Sequence, residues 1–259
     1  MLIDSHVNLH AAQFADDQGE VIERAREAGI GLMLTISDKV SSFEDVHAVA
    51  MAHDDIWCTV GTHPHEAKEN PKLSAQDLIH LTQRPKVVGI GETGLDFHYD
   101  LSPRNIQAQV FRAHVTAARE TGLPLVVHTR EADAVMAAIL EEEYAAGPFK
   151  LLMHCYTSGP ELARRAAALG AYFSVSGIAT FKAAQEVRDI IAQMPAERII
   201  VETDCPYLAP VPMRGRRNEP AYLPHILAKL AEIRGWTLAD AEQRTEDAFF
   251  ALFDRVSRP

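Results

Sequence analysis

Short apolar and β-branched runs recur along the whole chain, at residues 2–6, 31–36, 56–61, 87–92, 124–128, 149–154, 171–176 and 199–203. They are continuous rather than alternating, the pattern of parallel strands buried on both faces. Between them lie stretches with helical spacing, at 17–28, 43–53, 75–81, 103–120, 132–143, 159–169 and 183–193. Gly29, Gly122, Gly170 and Pro195 stand at or near their ends, and Ser74 and Ser102 precede helix-forming stretches as candidate caps.

Strands that alternate with helices predict an α/β chain, a (β/α)8 TIM barrel occupying residues 1–259 as a single domain. The length fits, since such barrels run to about 250 residues. Two more helical patterns, 223–234 and 238–253, follow the last strand. These extra C-terminal helices are expected to close the barrel or brace its outside. The rival fold is an open doubly wound sheet. GIGETG at 89–94 has the spacing of a nucleotide loop and follows a strand. The next residues, LDFHYDLSP, do not open a helix, so no helix N-terminus would meet a pyrophosphate, and Glu92 would repel it.

Composition alters this picture little. Hydrophobic residues make up 47% and charged residues 24%, an ordinary globular balance. The net charge of −11 argues against binding long nucleic acid through the whole surface. A phosphate-bearing ligand would have to be drawn in locally, by a metal or a small basic patch. Cys58, Cys155 and Cys205 are too few for a disulfide framework, which fits a reducing compartment. The start MLIDSHVNLH lacks the features of a signal peptide, and no apolar stretch reaches the about 18 residues of a membrane span. A cytoplasmic protein is expected, with no membrane contact and no obligatory protein partner.

The chemistry gathers where the strands end. The first strand leads into Asp4-Ser5-His6-Val7-Asn8 and the third into His63-Pro64-His65. The fourth ends at Glu92, the fifth at His128 and the sixth at His154; the eighth leads through Glu202 to Asp204. In a barrel, the C-terminal strand ends form the active face. Residues two apart on a strand share a side, so His6 pairs with Asn8 and Glu202 with Asp204. His6 and Asn8 offer one cation an imidazole nitrogen and an amide oxygen. Imidazole and carboxylate donors suit Zn, Mn or Mg, and no cysteine set suggests a structural zinc. A carboxylate between imidazoles can bridge two divalent ions roughly 3.5–4 Å apart; Glu92 is the best placed.

Each of these histidines alone reads equally well as a polar cap on a sheet; the set does not. His63 and His65 fit substrate contacts or a turn held by Pro64. Arg130, just after His128 where a helix is expected to start, fits a phosphate contact or plain surface. Arg214, Arg216 and Arg217 fit phosphate binding or a solvated loop. Cys155 and Cys205 read as small buried fillers rather than nucleophiles. His10 reads as a loop residue, and His47, His53, His80, His98, His114 and His225 mostly as surface.

With Gly61-Thr62-His63-Pro64-His65, Gly91-Glu92-Thr93-Gly94-Leu95-Asp96-Phe97, His128-Thr129-Arg130, His154-Cys155-Tyr156-Thr157-Ser158-Gly159, Glu202-Thr203-Asp204-Cys205-Pro206-Tyr207-Leu208 and Gly215-Arg216-Arg217-Asn218-Glu219-Pro220, the chain resembles the TatD family of metal-dependent hydrolases. The resemblance implies a cytoplasmic barrel hydrolase of phosphodiester bonds, deoxyribonuclease-like, using one or two divalent metals, with DNA among its substrates. It implies a first metal on His6, Glu92 and Asp204 and a second on Glu92, His128 and His154. It also places His63 and His65 near the substrate phosphate. The family's His-x-His at the first strand is His6-Val7-Asn8 here. An amide oxygen is a harder, weaker donor than imidazole, so a first metal would be Mg or Mn rather than Zn, bound only with substrate, or missing. The expected chemistry is hydrolysis by metal-activated water, with Glu92 and Asp204 catalytic, Asp204 as general base, and His63, His65 and Arg130 on the phosphate. C–N or carboxylic-ester hydrolysis on the same barrel, and a metal-binding protein with impaired catalysis, stay open.

Overall fold

The computed structural model describes residues 1–258; Pro259, the end of the expected domain, lies outside them. Eight strands pair in chain order, all parallel: β1 Leu2–Val7, β2 Ile30–Thr35, β3 Ile56–Val60, β4 Val87–Asp96, β5 Leu125–Arg130, β6 Leu151–Met153, β7 Tyr172–Val175 and β8 Ile199–Val201. Helices follow in alternation: α1 Gln18–Glu27, α2 Phe43–Ala52, α3 Ala75–Leu81, α4 Arg104–Thr121, α5 Asp133–Ala146, α6 Pro160–Ala168 and α7 Gln185–Ile191. After β8 come α8 Leu223–Arg234 and α9 Leu238–Leu252. The architecture is a (β/α)8 barrel.

The seam between β1 and β8 is closed by side chains and by the segment beyond β8. Buried Asp4 accepts the Thr203 backbone N–H at 2.9 Å and its hydroxyl at 2.6 Å. Asp204 donates its N–H to the His6 carbonyl at 3.0 Å, and Asn8 donates its own to the Cys205 carbonyl at 2.9 Å. A barrel closed in this way leaves no strand edge to attract another chain.

Two apolar clusters share the strands. One lies between sheet and helices and joins Met33, Ile56, Val60 and Phe173 to Phe43, Phe111, Met136 and Ile226. The other joins Ile3, Leu34, Val88, Val126, Leu152 and Ile200 to Phe249 and Phe253 of α9 and its C-terminal cap. A Cβ on Gly89 would sit 3.2 Å from the Phe253 ring. Helix α9 therefore plugs the barrel from below, while α8 joins the outer ring.

The inner cluster turns polar within one pleat. Val126 is followed two residues on by His128, Leu152 by His154 and Ile200 by Glu202. With the period-two geometry of a strand, these three plug residues each have an ionisable one above them on the same side.

Some boundaries differ from expectation. Strand β4 runs to Asp96 rather than 92, and β5 runs to Arg130, so Arg130 ends a strand and does not start a helix. His154 and Glu202 lie just beyond the short ladders of β6 and β8. GIGETG is wholly strand. A Cβ on Gly61 would lie 2.5 Å from the Gly91 Cα, so only glycines allow β3 and β4 to approach this closely beside Glu92. No helix among the described residues is long and apolar enough to cross a membrane.

Phe253→Ala is expected to cost about 3–5 kcal/mol by emptying the plug. It should lower the urea midpoint of unfolding and leave metal affinity intact, because Phe253 packs beside Gly89 near the start of β4, while the polar site is at the strands' C-terminal ends.

Candidate metal centre

Glu92 lies at the middle of the polar end. Its Oε1 is 2.7 Å from His154 Nε2, 3.0 Å from His128 Nδ1 and 3.5 Å from His63 Nε2. Its Oε2 is 3.3 Å from His6 Nε2, which is 3.7 Å from Asp204 Oδ1. The His6 and His154 rings stack with centroids 4.0 Å apart. Donor atoms lie within 4.8 Å of one another in two groups, His6–Glu92–His154 and His63–Glu92–His128. Glu92 is common to both.

Outer partners decide which ring nitrogen faces inward. His154 Nδ1 is 3.1 Å from Glu202 Oε1, and His128 Nε2 is 3.1 Å from Asp96 Oδ2. A carboxylate accepts, so it takes the N–H and leaves the opposite nitrogen to the centre. His63 differs: its Nδ1 accepts the His65 N–H at 3.1 Å. The proton of neutral His63 therefore sits on Nε2, and the ring faces Glu92 as a donor rather than as a metal ligand. His65 Nε2 is 2.9 Å from Asp96 Oδ2, so one carboxylate anchors two imidazoles.

Burial would raise the Glu92 carboxyl, but His154, His63, His6 and His128 bring it well below the ordinary value. Burial would lower His154, but Glu92 and Glu202 lift it well above its usual value. His128 is raised by Asp96 and Glu92 against the same burial effect. Burial pushes Asp204 up to about 6 and His63 down to about 3. Glu92 and the imidazoles around it thus favour one another's charged forms. His6 adds a test of fit. Both its ring nitrogens are buried and lack a hydrogen-bond partner among the described residues, though two carboxylates face Nε2. Desolvation of an unpaired imidazole is costly, and a divalent cation among His6, Glu92 and Asp204 removes that cost. The donors fit a metal.

The other expected residues fall as follows. Asn8 joins neither donor group: its Nδ2 donates to the Cys205 carbonyl at 3.1 Å. The register of β1 shifts between Asp4 and Val7 and the strand ends at Val7, so the simple alternation that paired Asn8 with His6 does not carry through. Arg130 is exposed, with its guanidinium 4.8 Å from the Tyr99 ring centroid. Arg217 is occupied by Asp17, at 2.6 Å, and Arg214 lies over Phe181. Burial raises the Cys155 and Cys205 thiols well above their usual value, which fits inert fillers.

Sequence reasoning undervalued Asp96 and Glu202. Both were within reach of the period-two rule, since 92, 94 and 96 share a side of β4 and Ile200 precedes Glu202. Of the six histidines expected mostly at the surface, His47 and His114 are buried. His114 Nδ1 donates to the Val110 carbonyl at 2.8 Å, while Nε2 accepts the Thr62 N–H at 2.9 Å. This buried imidazole holds the loop that carries His63, and no signal in the sequence marks it.

A barrel whose strand ends bring carboxylates and imidazoles to one point defines a metal-dependent hydrolase. Comparison with known proteins agrees. A family model described as TatD related DNase matches residues 3–254. The uncharacterized metal-dependent hydrolase YabD of Bacillus subtilis (strain 168) is 36% identical, over 98% of this chain and 99% of its own. The 3'-5' ssDNA/RNA exonuclease TatD of Pantoea vagans (strain C9-1) is 36% identical, over 97% and 99%. The crystal structure of YJJV, a TatD homolog from Escherichia coli K12, superimposes with a TM-score of 0.89 at 25% identity, over 98% of each chain. The chain belongs to the TatD family.

Asp96→Asn is expected to weaken metal binding about 10–100-fold by releasing His128 from its orienting carboxylate; calorimetric titration with Mn²⁺ measures this. Raised imidazole pKa values also mean that metal must displace protons. Apparent affinity should therefore climb as pH rises through the range of His128 and His154. Calorimetry in buffers of different ionisation enthalpy should show net proton release.

Proposed function

We propose that this enzyme hydrolyses phosphodiester bonds of single-stranded nucleic acid with one or two divalent ions, Mg, Mn or Zn. The observation that carries the reading is the divided Glu92 carboxylate: Oε2 faces His6, and Oε1 faces His128 and His154. In this reading His6, Glu92 and Asp204 hold one cation, and Glu92, His128 and His154 the other. A cation there supplies Lewis acidity at a phosphoryl oxygen and lowers the pKa of water towards about 7.

The protein's own groups do the rest. Asp204 holds the proton of the attacking water; its carboxylate is partly open to solvent and closes the far side of His6. Its backbone φ of 56°, unusual for a residue with a side chain, aims it there. His63, whose Nε2 N–H faces Glu92, stands beside the phosphate position. His65, tied to Asp96, orients the same group. Asp96 and Glu202 hold His128 and His154 in the tautomers the centre needs. The barrel wall excludes water from below.

The Pantoea vagans relative, named for exonuclease action on single-stranded DNA and RNA, supports the substrate class. Three free thiols support a cytoplasmic setting. Asn8, turned to the Cys205 carbonyl, is not needed in this reading, which rests the first cation on His6, Glu92 and Asp204. The whole chain acts as one unit.

Glu92→Gln is expected to lower metal-dependent turnover of an oligodeoxynucleotide by at least about 10³-fold, a loss of about 4 kcal/mol in transition-state stabilisation. Full turnover in that variant, or activity only on amide and carboxylic-ester panels, overturns the reading. Asn8→Ala should change Mn²⁺ affinity far less than His6→Ala, as measured by calorimetry.

A further inference from the structure

Among the described residues seven large hydrophobic side chains are prominently exposed, and five of them lie on the segments at the mouth of the barrel: Tyr99, Leu101, Val135, Tyr207 and Val211. All five follow the C-terminal end of a strand, in a loop or in the first turn of the next helix. An apolar rim around a charged centre suits a ligand that is anionic along its backbone and flat and apolar at its sides.

Tyr99 is the best placed of these. It is 53% exposed, yet its ring centroid is only 5.4 Å from that of His65. Its backbone is set by the site itself: Asp96 Oδ1 accepts the N–H groups of Tyr99 at 2.8 Å and His98 at 3.0 Å. The other oxygen of Asp96 holds His65 and His128. One buried carboxylate thus fixes the metal-facing imidazole and the exposed ring together.

Beside the ring lies Arg130. Its guanidinium has no carboxylate partner among the described residues and rests over Tyr99 at 4.8 Å from the centroid. On its other side Arg130 lines a cavity of about 510 Å³ with Glu131, Asp133, Thr157, Ser158 and Gly159. The two acids are already engaged: Glu131 pairs with His98 at 2.7 Å, and Asp133 accepts the Gly159 N–H at 2.8 Å. Arg130 is the cation among these lining residues. Volumes of about 300–1,000 Å³ accommodate small ligands, and guanidinium planes and aromatic faces both stack nucleobases.

We propose that Tyr99 and Arg130 form a nucleobase-stacking subsite next to the scissile phosphate. It takes an unpaired base of a single-stranded substrate and so sets specificity for nucleic acid over simple phosphodiesters. This rests on the phosphodiesterase reading above and adds the residues that recognise the base. A base inside a duplex has no free face, so duplex ends and interiors are excluded until they unpair.

The test compares two oligodeoxyadenylates of equal length with Mn²⁺-loaded enzyme. One is intact; the other carries abasic tetrahydrofuran residues at the two positions of each end. The wild-type protein should favour the intact oligomer by about tenfold in kcat/KM, the scale of one stacked base. Tyr99→Leu should bring that ratio close to one, while Tyr99→Phe and Tyr99→Trp should keep it. An unchanged ratio in Tyr99→Leu, with hydrolysis intact, overturns the subsite and leaves the phosphodiesterase reading standing. Hydrolysis of bis(4-nitrophenyl) phosphate with neither oligomer cleaved overturns the nucleic-acid reading, and the subsite with it.

Discussion

The buried carboxylate of Glu92 is the constraint around which the rest is arranged. An ionised carboxylate taken out of water needs compensation by charge and hydrogen bonds. Here four imidazoles provide it, from β1, β5 and the segments beyond β3 and β6, with each oxygen turned to a different set. The Glu92 N–H is itself bonded to the Ser37 carbonyl at 3.0 Å. The close approach of Gly61 and Gly91 brings β3 and β4 near enough for His63 to take part.

From that carboxylate outward the imidazoles divide by task, and hydrogen bonding makes the division. His128 and His154 give their outer N–H groups to Asp96 and Glu202 and present lone pairs inward. His63 accepts from the backbone and presents an N–H instead. Residues of one type thereby offer either a lone pair or an N–H to the centre, according to the partner each has on its outer side. The same strands carry the apolar plug below, so stability and reactivity occupy successive pleats of one barrel. Rigid strands suit a centre in which small displacements of a ligand are costly.

The acidic surface and a phosphate substrate are reconciled at the mouth. Most arginines elsewhere are paired, as Arg24 is with Glu219 and Arg112 with Glu143. Arg130 and Arg214 lie instead over aromatic rings at the active face. A net charge of −11 repels polyanions at long range, but screening limits that field to about 8 Å at physiological salt. Local cations and bound metal act inside that distance.

The sequence by itself determined the eight strands, the barrel and most of the polar set, because parallel strands write continuous apolar runs and place their chemistry just after them. His6, Glu92, His128, His154 and Asp204 were legible for that reason. Tertiary structure alone decided the rest. It ran β4 on to Asp96, turned Asn8 to the seam with Cys205, and buried His114 beneath the His63 loop. Each of these depends on a partner far along the chain: a register shift, a carbonyl across the barrel closure, a helix behind a loop. The polar group at the strand ends is therefore more ordered than a mere cluster of candidate ligands. It is one carboxylate dividing two sets of imidazoles, each oriented by groups that only folding brings into reach.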